Sequence, residues 1–217
     1  HRADNQSRGA RRGALPIKSL SLPLPLRLVP AIMGLFHNKG GINLSPILET
    51  GRLILRPFAE ADAPALFELL RDEEVNTFLP WFPAQTLEEA EAHLEERCLK
   101  PSREGQGYHY AVCLKPDGRL IGYVHIDGND SHDLGYGLAK AYWHQGFMTE
   151  ACRALLEKVQ QDGRFPYLTA THDILNPRSG SVMKRLGMVY RYSYREQVQP
   201  KNQQVVFRLY QLNFTAP

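Results

Sequence analysis

The stretch Tyr142–Ala151, YWHQGFMTEA, sets one glycine among large aromatic residues, and an amphipathic helical pattern starts directly after it. The chemistry such a step can do is anion binding. The first N–H groups of a helix have no internal partner, and the aligned peptide dipoles add roughly half a positive charge at that end. A diphosphate can rest there when no side chain blocks its approach, a clearance that Gly146 would provide. A plain strand-to-helix turn asks for the same glycine, so the stretch alone leaves both readings open. Two other nucleotide patterns, G-x-G-x-x-G and G-x-x-x-x-G-K-[ST], do not occur.

The elements around this step follow from hydrophobic period and caps. Asp133–Leu138, DLGYGL, reads as the strand that enters the turn. The helix leaving it spans about Met148 to Gln161, with Ala151, Leu155 and Val159 on one stripe and Cys152 and Leu156 beside it. FPYLTATHD follows as a buried strand, then NPRSGSVMKRLGM as a short helix with Asn176 as N-cap, Pro177 at its first position and Gly187 after its end. Upstream, RLILRPF is a strand, and EADAPALFELLRD a helix with Asp62 as N-cap and Leu66, Phe67, Leu69 and Leu70 on its apolar face. A second helix opens at Thr86, with Glu89 completing a capping box, and runs to about Leu99. YHYAVCLKPDGRLIGYVHID reads as a hairpin around Pro116-Asp117-Gly118, and VYRYSYREQV and VVFRLYQL as two last strands around a turn at Pro200–Asn202. The order β-α-α-β-β-β-α-β-α-β-β predicts a single α+β domain: a central mixed, mostly antiparallel twisted sheet flanked by about four helices.

Composition narrows the function classes. The net charge of +3 comes from residues 1–40, which hold seven basic residues and one acid; the remainder has nineteen basic against twenty-two acidic residues. The globular part therefore has no electrostatic support for nucleic-acid binding. Residues 1–40 read as a basic leader or tail outside the domain, which would cover 41–217. Pro23, Pro25, Arg27 and Pro30 break the apolar run that a secretory signal needs. Residues 1–32 are expected to be non-native or translated upstream sequence, with the natural chain starting near Met33. No apolar run reaches the roughly 18 residues that span a membrane. Cys98, Cys113 and Cys152 are sparse and odd in number, which suits a reducing cytoplasm, and the histidines form no metal-ligand pattern.

The run LGYGLAKAYWHQGFMTEA, followed by NPRSGSVMKRLGM and preceded by GRLILRPFAEADAPAL, resembles the GNAT superfamily of acetyl-CoA-dependent N-acetyltransferases, in its ribosomal-protein alanine acetyltransferase-like branch. The resemblance covers about Thr50 to Asn213. It places the Q/R-x-x-G-x-G/A signature on Trp143, His144, Gln145, Gly146, Phe147 and Met148, and implies that backbone N–H groups over Gln145–Thr149 hold the CoA pyrophosphate. Leu138 and Ala139 would hydrogen-bond pantetheine through their backbone. Asn176 would contact pantetheine, and Ser179 would reach the thioester or thiol. Trp143 and Met148 depart from the signature, and Met183 stands where other relatives carry a tyrosine that protonates the leaving thiolate. Glu150, in the first helical turn, would repel phosphate and is expected to point away from CoA.

The implied reaction is direct attack of a primary amine on acetyl-CoA in a ternary complex, with no metal. The acceptor would be a protein N-terminus or a small amine, and the assembly a monomer or homodimer. An α-amino group near pKa 8 needs a weaker base than a lysine near 10.4. Asp133, His125 with Asp127, and His172 lie at strand ends as base candidates; a residue at such a place is more often an ordinary solvated or satisfied strand end. Trp81 and Phe82, in LPWFP, would wall the acceptor pocket or plug the core, and Tyr192 and Tyr194 would face the same pocket. Asp72, Glu73 and Glu74 keep a polyamine or aminoglycoside acceptor open. A catalytically silent CoA-binding domain is the third reading.

Overall fold

In a computed structural model, residues 45–214 are described. The expectations for residues 1–40, including a natural start near Met33, lie outside them. Eight strands and five helical segments follow in the order β1 (Leu48–Glu49), β2 (Leu53–Pro57), α1 (Ala63–Leu70), α2 (Leu87–Leu94), α3 (Lys100–Arg103), β3 (Tyr108–Leu114), β4 (Leu120–Ile126), β5 (Leu134–Leu138), α4 (Phe147–Asp162), β6 (Tyr167–Asp173), α5 (Pro177–Arg185), β7 (Val189–Val198) and β8 (Gln203–Asn213). This is the expected α+β order with one short strand added in front and one short helix, α3, added before the hairpin. Among the described residues, no helix is long and apolar enough to cross a membrane.

The sheet is mixed, as expected, and it is divided. Strands β1-β2-β3-β4-β5 form one antiparallel part and β6-β8-β7 the other. The parts meet at a single parallel bridge, Asp133 to Thr169. Beyond that bridge β5 and β6 are not paired, and both line a cleft.

Apolar side chains fill both faces. One core packs α4 and α5 against the sheet through Ala151, Cys152, Leu155, Val159, Leu168, Ala170 and Met183. The other packs α1 and α2 against the opposite face through Leu66, Leu69, Leu70, Ala90 and Leu94. Strand β3 lies between the two, so its residues Tyr108–Cys113 are all buried and the inside–outside alternation expected for a hairpin does not apply to it.

Three helix ends differ from the sequence expectation. Asp62 stands at the N-cap position of α1 without capping it. Its carboxylate instead accepts from both terminal nitrogens of Arg56, at 2.8 and 2.7 Å, and from the Ala59 N–H at 2.8 Å. Thr86 caps α2 as expected, accepting from Glu89 N–H, but Glu89 reaches back to the Gln85 N–H one residue earlier than a capping box would. The helical path does not stop at Leu99. It widens into a π-turn over Glu95–Leu99, where the Lys100 N–H reaches back to the Glu95 carbonyl, and continues as α3. Pro101 lies directly beyond that turn; it has no N–H to give an ordinary i−4 bond.

Candidate active site

Strand β5 supplies one wall of the cleft. Its ladder with β4 includes Asp127 N–H to the Asp133 carbonyl at 3.1 Å and Ala139 N–H to the Ile121 carbonyl at 2.8 Å. Antiparallel pairing alternates, so Leu134, Tyr136 and Leu138 turn their backbone groups to the other edge, into the cleft. The Leu138 carbonyl is taken by the Trp143 indole N–H at 2.8 Å. Its N–H is left facing the cleft. Ala139 corrects the sequence expectation in part: its N–H is held by the Ile121 carbonyl and is not open to pantetheine, and its carbonyl already accepts from Tyr142 N–H at 3.0 Å.

The turn into α4 is an anion site by backbone geometry. Gly146 stands at the N-cap with φ 78°, a left-handed conformation that favours glycine, and His144 has φ 61°. The first helical bond runs from Glu150 N–H to the Gly146 carbonyl. Among the described residues the N–H groups of Gln145, Gly146, Phe147, Met148 and Thr149 have no protein partner. A Cβ on Gly146 would lie 3.6 Å from Arg52 Nη2, an ordinary contact, so the glycine is required by its φ and by what approaches from outside rather than by crowding within the protein. Phe147 and Met148 are buried and anchor the helix start.

Arg52 holds this turn from behind, a role sequence reasoning missed. Its Nη1 donates to the Gln145 carbonyl at 2.9 Å, its Nε to Glu150 at 2.7 Å, and its guanidinium lies 4.0 Å from the Phe147 ring centre. Glu150 also accepts from the Thr50 hydroxyl and the Arg52 N–H. Burial pulls the Glu150 carboxyl up, and the bonds from Thr50 and Arg52 outweigh that and leave it below the usual value. The carboxylate is thereby tied to Thr50 and Arg52 just before β2. The only sequence signal is the Arg in GRLILRPF, an unremarkable member of a strand.

At the opposite cleft wall, α5 begins as the sequence indicated. Asn176 Oδ1 accepts from Ser179 N–H at 3.4 Å, Pro177 follows, and Gly187 has φ 82°. Tyr136 crosses from β5 to this helix: its hydroxyl lies 2.9 Å from both the Ser179 carbonyl and the Ser179 Oγ. Met183 is buried under the same helix. His172 is buried too, with Nδ1 2.7 Å from the Asp173 carbonyl and its ring packed where a Gly180 side chain would be.

Asp133 sits where the two sheet parts separate. Thr169 donates its hydroxyl to the Asp133 carboxylate at 3.0 Å. Burial, and less strongly the charge of Asp127, raises this carboxyl to about 7 against the pull of the Thr169 bond. His125 lines the cleft in a different state. Its ring lies across Gly135, stacked between His109 and Tyr123 with centroids at 5.8 and 6.1 Å, and Nε2 is 3.8 Å from Asp127. Burial pushes it down to about 4, so it is a neutral imidazole with little appetite for a proton at neutral pH. Burial therefore acts in opposite senses on the two, raising the Asp133 carboxyl and lowering the His125 imidazole.

The acceptor-side expectations divide within each pair. The cleft, about 1640 Å³, is lined by Trp81 and Tyr194 and not by Phe82 or Tyr192. Phe82, 60% exposed, borders a smaller hollow with Glu73, Gln85 and Lys201, and Tyr192 is 55% exposed on β7. Trp81 is fixed by its indole N–H to Asn76 Oδ1 at 3.0 Å and packs edge-on against His93, 4.8 Å away, with Arg97 over its ring. Lys201, in the β7–β8 turn, donates to the Asn76 and Thr77 carbonyls at 2.8 and 3.2 Å and closes an arch over this end. The three acids are not gathered at one place: Glu73 borders the smaller hollow, Glu74 lines the cleft and pairs with Lys140, and Asp72 accepts from the Glu74 and Val75 N–H groups.

The acetyltransferase (GNAT) domain model matches residues 52–189. The uncharacterised N-acetyltransferase YnaD of Bacillus subtilis is 26% identical over 144 residues, 65% of this chain and 81% of that protein. Among solved structures, RimL, a ribosomal L7/L12 alpha-N-protein acetyltransferase in complex with coenzyme A, superposes with a TM-score of 0.70 at 19% identity, over 79% of this chain and 99% of that one. The microcin C7 self-immunity acetyltransferase MccE, with acetyl-CoA and AMP, does so with a TM-score of 0.67 at 16% identity, over 76% and 93%. At these identities the structural likeness concerns the fold. The cleft residues fit a CoA thioester: unpartnered helix N–H groups for phosphate and an open strand edge for an amide-bearing arm. Among the described residues no cluster fits a metal ion.

Proposed function

The chain belongs to the GNAT family of acetyl-CoA-dependent N-acetyltransferases, and from that premise we propose that it acetylates an amine of modest basicity, a protein N-terminus or a small primary amine, by direct attack in a ternary complex. The observation that carries this reading is Asp133, a buried carboxyl raised to about 7 at the head of the open β5 edge. A base of that strength is matched to an α-ammonium near 8 and poorly matched to a lysine near 10.4.

The pyrophosphate lies against the N–H groups of Gln145–Thr149, with Arg153, Arg178 and Arg185 on the same cleft as countercharges. Pantetheine runs along β5, bonding Leu138 N–H and the Tyr136 backbone in place of a missing strand, with Asn176 on the far wall. This puts the thioester between β5 and the start of α5, near Ser179. The amine enters past Trp81 and Tyr194 and delivers its proton to Asp133 directly or through water. Fixing both reactants in this geometry supplies a large share of the acceleration. RimL, named for acetylating the α-amine of ribosomal protein L7/L12, agrees with this acceptor class; the pairing of Glu74 with Lys140 weakens the polyamine alternative.

The test is thiol release from acetyl-CoA with peptides bearing free Ala or Ser N-termini, polyamines and aminoglycosides as acceptors. Peptide turnover with an acidic limb near pH 7 is expected. Turnover confined to polyamines or aminoglycosides overturns the acceptor, and CoA binding without turnover on any of them identifies a silent binding domain.

A further inference from the structure

Tyr136 has no side-chain role in the proposed acetyl transfer, yet its hydroxyl ties β5 to the first turn of α5 across the cleft. We propose that Tyr136 is a positioning residue for the departing sulfur: it holds Ser179 so that the Ser179 hydroxyl donates a hydrogen bond to the CoA thiolate. This rests on the proposed placement of the thioester beside Ser179.

Hydrogen counting defines the choice. Tyr136 Oη has one proton and two neighbours at 2.9 Å, the Ser179 carbonyl and the Ser179 Oγ. If the phenol donates to the carbonyl, its oxygen is open to the serine proton and competes with the cleft for it. If the phenol donates to Oγ, the serine proton is freed to point into the cleft, which both residues line. A negative sulfur selects the second arrangement, because a hydrogen bond to a charged acceptor is the stronger one. Met183, buried in the next turn of α5, has no proton to offer.

No proton need change hands in this step. A thiol titrates near ~8.5 and a serine hydroxyl is a far weaker acid, so full transfer from Ser179 to sulfur would be uphill. Burial, foremost, also holds the Tyr136 phenol above its ordinary value and keeps it protonated. The balance is that the C–N bond forms and the C–S bond breaks. The electron pair leaves on sulfur, the ammonium proton goes to Asp133 or water, and the thiolate later takes its proton from solvent. Ser179 and Tyr136 stabilise the charge without ionising.

The experiment needs no acceptor. Free CoA is bound to the purified protein and its thiol titrated by thiolate absorbance, alongside binding affinity. In Tyr136→Phe and in Ser179→Ala the bound thiol should titrate about one unit higher than in the parent, the size of one charge-assisted hydrogen bond. The double variant should shift no further than either single one. Identical thiol titration in parent and both variants, with CoA bound, overturns the role of Tyr136 and leaves the proposed function standing. Failure of the parent to bind CoA overturns both. Should Tyr136→Phe not fold, 3-fluorotyrosine incorporated at position 136, a stronger donor, must lower the titration of the bound thiol, and an unmoved titration overturns the role of Tyr136.

Discussion

At the α4 end of the cleft the groups that face a ligand are backbone amides, whereas at the Trp81 end they are side chains drawn from α2, β3, β4 and the β7–β8 turn. The donor end is local: Gly146, the unpartnered N–H groups after it, and the Leu138 N–H all lie within twelve residues of one another. The acceptor end is assembled over long sequence separations; Lys201 and Asn76 are 125 residues apart and still meet. A site made of backbone tolerates changes of side chain so long as the chain can take the required φ. A site made of assembled side chains can change its acceptor by single substitutions and keep the donor.

The sharpest break of this comparison is at Asp133, where the two ends meet. Asp133→Asn should lower kcat by roughly 100-fold or more, as loss of a general base does, and remove the acidic limb near pH 7. CoA affinity should stay as it was. Stability gives an independent reading with a defined sign. The folded carboxyl at about 7 lies above the ordinary value of 3.8. The folded state therefore binds more protons than the unfolded chain between those values, and stability falls as pH rises through that window. The Asn variant should lack that fall in a thermal-denaturation series from pH 4 to 8. An unaltered pH–rate profile would remove Asp133 as the base.

Gly146→Val tests the backbone end. A β-branched residue at φ 78° costs about 1–2 kcal/mol in strain, and its branches would occupy the space left for phosphate. Calorimetric titration with CoA should show affinity reduced more than tenfold. Affinity equal to that of the parent would mean that the pyrophosphate does not rest on this turn.

How far each end could be read from sequence follows from the same contrast. Gly146, Asn176, Pro177 and Gly187 declare themselves because caps and left-handed turns restrict residue type, and the structure uses each as its type suggests. Ala139 escapes such a reading because ladder parity, not residue type, decides which backbone edge is free. Trp81 and Phe82 are adjacent and both aromatic; the Trp81 indole is held by Asn76, His93 and Arg97 at the cleft, and Phe82 lies outside it. Asn76 is itself fully buried because its side-chain amide donates to the carbonyls of Leu69, Leu70 and Asp72 at the end of α1. A helix-terminating asparagine of this kind is a usable signal, whereas Arg52, Tyr136 and Lys201 carry none without the fold.

The acceptor end should respond without disturbing the donor. Lys201→Ala removes two bonds that join the β7–β8 turn to the Asn76–Thr77 segment. The lysine is partly desolvated there, which lowers its pKa below the ordinary value and marks the contact as a held one. Loss of about 1 kcal/mol of anchoring should raise the acceptor KM by roughly fivefold. Initial-rate kinetics with acetyl-CoA varied should give an unchanged donor KM. A change in the donor KM alone would show that the arch belongs to the CoA half.

The smallest effect is expected at Arg52, and it depends on sign rather than size. Arg52→Met frees Glu150, whose carboxylate is then one helical turn from the proposed pyrophosphate with no cation to hold it on the β2 side. CoA affinity should drop about threefold at low salt and recover partly at high salt, because screening weakens a repulsion between exposed charges. The added change Glu150→Gln separates two causes. If Arg52 acts by neutralising Glu150, the double variant regains most of the affinity. If Arg52 acts by holding the Gln145 carbonyl and hence the shape of the turn, the double variant stays as weak as the single one, and the donor end is then less purely a property of local backbone than its sequence suggests.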